Sequence, residues 1–187
     1  MRLDKPRIAP LAESELDDKS RAMLGERFRS GKILNIFRTL IKAPKAYKAF
    51  MWWGGYILSD HNDLPARERE IIILRTGFNW KAGYEWAQHV RIGKDCGLTD
   101  EEIERIKAGP DAPGWSPIES AMLRATDELT SDGHVSDATW AALAELTEKQ
   151  RMDLVMTVGQ YSQVSMLLNS FGVQLDDDLV LDPDLTA

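Results

Sequence analysis

The stretch that decides the fold runs from Leu64 to Ile103. It reads Leu64-Pro-Ala-Arg-Glu-Arg-Glu70, then Ile71-Ile-Ile-Leu74, then Tyr84-Glu85-Trp86-Ala-Gln-His89, then Gly97-Leu-Thr99-Asp-Glu-Glu102-Ile103. The run after Glu70 is apolar on every side of a helix, which predicts a buried helix. Glu85 and His89 are four residues apart, so they share one face of the helix that follows. An imidazole with two carboxylates is the one group in the sequence that suggests chemistry.

The remainder of the chain predicts an all-α protein, because no alternating strand or hairpin pattern occurs. Amphipathic segments at 16–28, 33–41, 45–58 and 79–96 predict helices, the first ending at Gly31 and the last at Gly97. Asp63 is expected to cap the helix that carries Glu70, with Pro65 in its first turn. Three capping-box pairs mark further helix starts: Thr99 with Glu102, Ser116 with Glu119, and Thr147 with Gln150.

The length of 187 residues predicts one domain built from two halves. We divide it into an N-terminal arm (1–15), a first half with the candidate site (16–107), a linker (108–115), a second half (116–175) and an acidic tail (176–187). The arm is expected to be extended and to pack on a neighbour, and the tail to end loosely. Segments 64–89 and 146–171 show a weak internal echo, which predicts a duplicated helical hairpin with one functional copy.

Composition excludes several classes of protein. The net charge of -7 and the absence of a basic stripe argue against nucleic acid as a partner. The single cysteine, Cys96, excludes an intrachain disulfide and a CxxC redox pair. No secretory signal pattern and no apolar run long enough for a membrane helix are present, so we expect a cytoplasmic protein that does not contact membranes.

The motifs between Leu64 and Ile103 resemble those of the carboxymuconolactone decarboxylase family, within the alkylhydroperoxidase D-like superfamily. The resemblance is strongest over residues 60–105 and extends more weakly to Val158-Gly-Gln-Tyr161. It implies an alkylhydroperoxidase D-like helical bundle and a homo-oligomer, a trimer or a hexamer.

The sequence departs from the peroxidase branch of that superfamily at its redox centre. That branch uses a glutamate, a CxxC pair and then a histidine, and the resemblance places the glutamate on Glu70 and the histidine on His89. The two cysteine positions fall on Ala82 and Glu85. Cys96 has no partner, so thiol peroxidase activity is not expected.

The expected function is acid/base chemistry without a cofactor: decarboxylation, isomerisation or ring opening of a small lactone or carboxylic acid, related to the degradation of aromatic compounds. His89, Glu85 and Glu70 are the predicted catalytic residues. The predicted substrate-binding residues are Tyr84, Trp86 and Arg75. Three alternatives remain open: a plain structural ion pair, a divalent-metal site at Glu70, Glu85 and His89, and an oligomeric binding or scaffold protein without catalysis.

Overall fold

The computed structural model describes residues 1–186 and confirms the all-α fold class. Ten α-helices and two short 3-10 turns are present in this range, and no β-strand. The helices are α1 (Asp18–Leu24), α2 (Glu26–Arg29), α3 (Asn35–Leu40), α4 (Pro44–Ile57), α5 (Ala66–Asn79), α6 (Gly83–Asp95), α7 (Asp100–Ala108), α8 (Pro117–Ser131), α9 (Asp137–Ala142) and α10 (Glu148–Phe171). None of these helices is both long and apolar enough to cross a bilayer.

Helix α5 lies at the centre of the molecule, packed against α6, α7, α8 and α10. Its apolar run, Ile71 to Leu74, has no solvent exposure, as the sequence predicts. These four side chains enter three different hydrophobic clusters, so α5 is buried on all sides. At roughly 1.5–3 kcal/mol for each fully buried aliphatic side chain, this run is a major source of stability.

Gly93 on α6 leaves room for the side chain of Leu98, which follows the helix. A Cβ atom at this position would lie 2.9 Å from Leu98 Cδ1, but at an ordinary contact distance of 3.7 Å from Glu70 Cβ on α5. A side chain here would therefore displace Leu98 from its place in the core.

Local sequence signals set most helix starts. All three predicted capping boxes are present, at Thr99, Ser116 and Thr147, and each satisfies backbone N–H groups of a first turn. Asp63 does not cap α5 as predicted. Its backbone N–H instead donates to Asp153 Oδ2 at 2.7 Å, and Pro65 occupies the capping position.

Two predicted helices have different bounds in the structure. The segment 16–28 forms two helices, because Gly25 adopts φ +56° and interrupts the pattern before Gly31. Helix α6 begins at Gly83 rather than at residue 79. Lys81 adopts a left-handed φ of +55°, and the Ala82 N–H closes the turn on the Gly77 carbonyl at 2.8 Å.

Both chain ends pack on the chain's own core. In the arm, the N–H groups of Arg7 and Ile8 donate to the Phe171 carbonyl at 2.8 and 3.1 Å. In the tail, Asp176 and Asp182 bind side chains of α6, and Leu185 is 2% exposed. The loose tail expected from the acidic composition is therefore wrong over residues 176–186, and Ala187 lies outside the described residues.

The internal echo does not correspond to two equivalent hairpins. Segment 64–89 contains the turn between α5 and α6, whereas 146–171 is almost entirely the single continuous helix α10. No turn like the one at Lys81 interrupts α10.

Candidate active site

The structure brings Glu70, Glu85 and His89 together, although they come from two helices. The His89 Nδ1–H donates to Glu70 Oε2 at 2.6 Å, across the α5–α6 contact. On the other side of the ring, His89 Nε2 lies 2.9 Å from Glu85 Oε1, one helical turn away on α6. The imidazole is therefore held between two carboxylates.

All three side chains are buried: residue exposure is 2% for Glu70, 4% for Glu85 and 6% for His89. Burial acts to lower the pKa of His89, but attraction to the Glu85 and Glu70 carboxylates outweighs it and raises the pKa to about 10. His89 is accordingly a cation at neutral pH. The trio then carries a net charge of -1, from two carboxylates and one imidazolium.

The two carboxylates are not equivalent. Glu70 accepts a short hydrogen bond, but Glu85 Oε1 has no hydrogen-bond partner within residues 1–186, because its contact with His89 lies outside hydrogen-bond geometry. A buried carboxylate oxygen without a hydrogen bond is unfavourable, and here it is compensated only by the nearby charge of His89.

Glu85 and His89 line a cavity of about 270 Å³. Its walls come from α2 to α4, α6 and α10 and are largely apolar and aromatic. The lining residues are Arg27, Leu34, Ile36, Phe37, Phe50, Met51, Gly54, Gly55, Leu58, Tyr84, Glu85, Gln88, His89, Ile92, Gln160, Tyr161 and Val164. Glu70 lies behind His89 and does not reach the cavity.

Of the three predicted substrate contacts, only Tyr84 lines this cavity. Its hydroxyl donates to Asp176 Oδ2 at 2.6 Å. Burial and the Asp176 carboxylate raise the pKa of Tyr84 above its ordinary value, so the phenol stays neutral. Its ring is thus a fixed wall rather than an acid.

The predicted substrate contacts of Trp86 and Arg75 are not supported by their positions. Trp86 packs against Phe78, and its Nε1–H donates to Asp182 Oδ2 at 3.1 Å, outside the cavity. Arg75 binds both carboxylate oxygens of Asp127 on α8, at 2.6 and 2.8 Å. The Arg75 side chain therefore pairs with Asp127 on α8 and does not line the cavity.

The sequence analysis missed the contribution of α10 to the site. The Tyr161 ring meets the His89 ring edge to face, with centroids 4.9 Å apart. Burial, with the Glu85 and Glu70 charges, raises the pKa of Tyr161 well above its usual value. Gln160 is 4% exposed and lines the same cavity. A buried Gln-Tyr pair within an apolar helix is the signal that could have identified them.

A metal site gains no support from this geometry. Within residues 1–186, no group of three or more His, Cys, Asp or Glu side chains is arranged to hold a metal ion.

Comparison with known proteins supports the fold and the family. Residues 44–128, which include all three trio residues, match the model of the carboxymuconolactone decarboxylase family. No curated protein sequence matches the chain.

Three solved structures illustrate the structural likeness. The alkylhydroperoxidase AhpD core of a peroxidase-related protein from Ralstonia eutropha JMP134 has a TM-score of 0.76 at 22% identity, covering 91% of this chain and 94% of that one. A peroxidase-related protein from Silicibacter sp. TM1040 has a TM-score of 0.77 at 14% identity, covering 95% and 92%. A cysteine-to-alanine variant of the debrominase Bmp8, in complex with 2,3,4-tribromopyrrole, has a TM-score of 0.76 at 15% identity, covering 93% and 94%.

At these identities the solved structures establish a shared fold alone, and the family rests on the match over residues 44–128 and on the motifs within it. Residues 44–128 therefore match the carboxymuconolactone decarboxylase family, and the chain as a whole has the AhpD-like helical fold.

Proposed function

We propose that this protein is a cofactor-independent acid/base enzyme that acts on a small cyclic lactone or carboxylic acid. The observation that carries the proposal is the arrangement of Glu85 and His89 on one wall of a mostly apolar cavity, with Glu70 behind them. An ion pair with a purely structural role does not require a cavity beside it, whereas an acid/base pair that reacts with a ligand away from water does require one.

Each member of the trio has a different role in this proposal. Glu70 is a positioning residue, because its hydrogen bond to Nδ1 fixes the ring and leaves Nε2 directed at the cavity side. His89 is the general acid, since its raised pKa keeps it protonated at neutral pH. Glu85 is the general base, because its Oε1 is the oxygen without a hydrogen-bond partner.

The proposed chemical step is a proton transfer next to a carbonyl. Glu85 removes a proton from the carbon beside the carbonyl, the electron pair moves into the carbonyl group, and the oxygen takes a proton from His89 Nε2. The resulting enol then returns to a carbonyl by taking back at carbon the proton that Glu85 holds, and His89 recovers its own. When the carbon carries a carboxylate, loss of CO₂ replaces the first proton removal and supplies the same electron pair, and the carbon then takes its proton from water.

The cavity supports a small, flat ligand. Its volume of about 270 Å³ is slightly below the roughly 300–1,000 Å³ common for pockets of drug-sized ligands. Phe37, Phe50 and Tyr161 offer aromatic surfaces to a ring. In the similar fold of Bmp8, the bound 2,3,4-tribromopyrrole is itself a small ring.

The test is exchange of substrate protons with solvent. The protein is incubated in D₂O with a panel of small lactones and cyclic keto and carboxylic acids, and proton NMR follows deuterium incorporation beside the carbonyl and loss of substrate. We expect exchange or turnover with at least one member, reduced about 10²–10⁴-fold in Glu85→Gln and in His89→Gln. Glu101→Gln, an exposed glutamate on α7, is the matched control and should behave as wild type.

Unchanged exchange in both site variants would refute the proposal. Binding of panel members without any exchange or turnover would favour the alternative, an oligomeric binding protein that has the fold without the chemistry.

A further inference from the structure

Arg27 on α2 is the other charged residue that lines the cavity, besides Glu85 and His89. Its guanidinium stacks over the Phe37 ring, 4.6 Å from the centroid. No acidic side chain in residues 1–186 lies within ion-pair distance of it. Two nearby arginines, in contrast, have acidic partners: Arg21 pairs with Asp18, and Arg29 pairs with Glu26.

An unpaired guanidinium at an apolar cavity is unfavourable unless something else neutralises it. Partial burial removes water from the charge, and a carboxylate partner would recover part of the lost hydration energy through two parallel hydrogen bonds. The ring of Phe37 orients the planar group but does not neutralise it. The vacancy beside Arg27 therefore suits an anion.

The charge of the trio strengthens this argument. Glu70, Glu85 and His89 together carry -1, so a carboxylate that enters the same cavity would be repelled at the short distances and low dielectric of the interior. Arg27 brings the sum to zero before a ligand binds. An uncharged ligand would gain nothing from this arrangement.

We propose that Arg27 is the specificity-determining residue of the site and binds the carboxylate of a small ring acid, whose ring then lies among Phe37, Phe50 and Tyr161. This inference rests on the proposed function for its orientation toward Glu85 and His89. It transfers to Arg27 the role that the sequence suggested for Arg75.

The test compares a ring acid with its neutral isostere. Benzoate and benzamide differ in charge and little in shape, and isothermal titration calorimetry measures the affinity of the intact protein for each. We expect wild type to prefer benzoate by at least tenfold. Arg27→Gln should abolish this preference while leaving the benzamide affinity unchanged, and Arg27→Lys should restore part of it.

Arg29→Gln is the matched control, because Arg29 lies on the same short helix and is paired outside the cavity. It should keep the wild-type preference. The proposal is overturned if wild type shows no preference, if neither probe binds, or if Arg27→Gln retains the preference. A lower unfolding temperature together with loss of both probes in Arg27→Gln would also overturn it, since Arg27 would then be structural.

The same titration in Glu85→Gln separates this proposal from the preceding one. Glu85→Gln should keep the benzoate preference and lose proton exchange. If no substrate exchanges but the preference depends on Arg27, the acid/base function fails and the carboxylate site stands. If exchange depends on Glu85 but benzoate is not preferred, the role of Arg27 fails alone.

Discussion

His89 is the residue whose protonation state decides what the site can do. A buried imidazole alone would be neutral, because burial disfavours the cation. Two carboxylates within 2.9 Å reverse that preference and raise the pKa to about 10. The resting site therefore holds an acid, His89, beside a base, Glu85. The negative charge of the two carboxylates keeps the proton on His89.

The first prediction concerns the charge on His89. Nitrogen-15 NMR should find both ring nitrogens protonated at pH 7.5, with a titration midpoint near pH 10, while the exposed His61 and His134 serve as internal references. A neutral His89 ring at pH 7.5 would contradict the assignment of His89 as the acid.

The raised pKa of His89 also makes stability depend on pH. Between the unfolded-state pKa near 6.5 and the folded-state pKa of about 10, the native protein holds one proton more than the unfolded chain. The stabilisation is complete below pH 6.5 and is lost as pH rises toward 10, at up to about 1.4 kcal/mol per pH unit. Denaturant unfolding at pH 7.5–9.5 should show this slope in wild type and a smaller one in His89→Gln.

The two carboxylates should separate in their effects on stability and turnover. Glu70→Gln replaces the ionised acceptor of a buried hydrogen bond by a neutral amide, and loss of a buried ion-pair partner costs about 3–5 kcal/mol. Glu85→Gln also removes an ion-pair partner of His89, but no hydrogen bond to Oε1, so we expect a somewhat smaller loss of stability and a larger loss of turnover. Urea unfolding and the exchange assay on both proteins measure this. Equal stability losses with unchanged turnover would mean that the trio is only a salt bridge.

Thiol peroxidase activity should be absent, because the family's cysteine positions are occupied by Ala82 and Glu85. Cys96 has its thiol pKa raised, first by burial and then by the nearby Glu70 charge, which disfavours the reactive thiolate. An assay of peroxide consumption coupled to a dithiol reductant should read at background. Activity that disappears in Cys96→Ser would show that this expectation is wrong.

At the scale of elements, the hairpin of α5 and α6 was accessible from sequence because its signals are local. Spacing along one helix places Glu85 beside His89, and the continuous apolar run marks α5 as buried. The turn between the helices was not accessible, since Lys81 takes a backbone conformation that lysine rarely adopts. The contacts of Arg27 and Gln160 with the cavity were also hidden, because residues distant in sequence meet there only through tertiary packing.

The packing of the C-terminal tail was also not predictable from local sequence. Its contacts affect the residues that line the cavity. Its acidic composition resembles a solvated segment, but Asp176 accepts hydrogen bonds from the Tyr84 hydroxyl at 2.6 Å, Gln88 Nε2 at 2.8 Å and the Asn35 backbone N–H at 2.8 Å. Asp176 therefore joins α3 to α6 at two residues that line the cavity.

Asp176→Asn should loosen this junction. The substitution exchanges an ionised acceptor of three hydrogen bonds for an amide that accepts them less well, at a cost of about 1–3 kcal/mol. For a domain of this size that corresponds to a fall in melting temperature of roughly 2–12 °C. Benzamide affinity should fall as well, because Tyr84 and Gln88 are cavity walls. Asp177→Asn, at an exposed neighbouring position, is the control, and equal melting temperatures for the two variants would contradict the role of Asp176.

At the scale of the whole molecule, one surface carries more exposed apolar area than a single chain requires. On α10, Met152, Gly159 and Met166 are exposed and follow the spacing of a helix stripe. Trp52, on the neighbouring helix α4, is 77% exposed. Large exposed apolar surfaces of this kind usually mark interfaces.

We therefore predict that this chain is a homo-oligomer that buries the α4–α10 surface, as the family resemblance also suggests. Light scattering at micromolar concentration should give three or six times the 21.1 kDa mass of one chain. The double variant Trp52→Lys, Met166→Lys should shift the mass toward that of one chain, because two charges would be buried at the contact. Val180→Lys supplies the control, since Val180 is also exposed, at 87%, but lies in the tail. A wild-type mass of 21.1 kDa, or an unchanged oligomer in the double variant, would leave this surface without the proposed role.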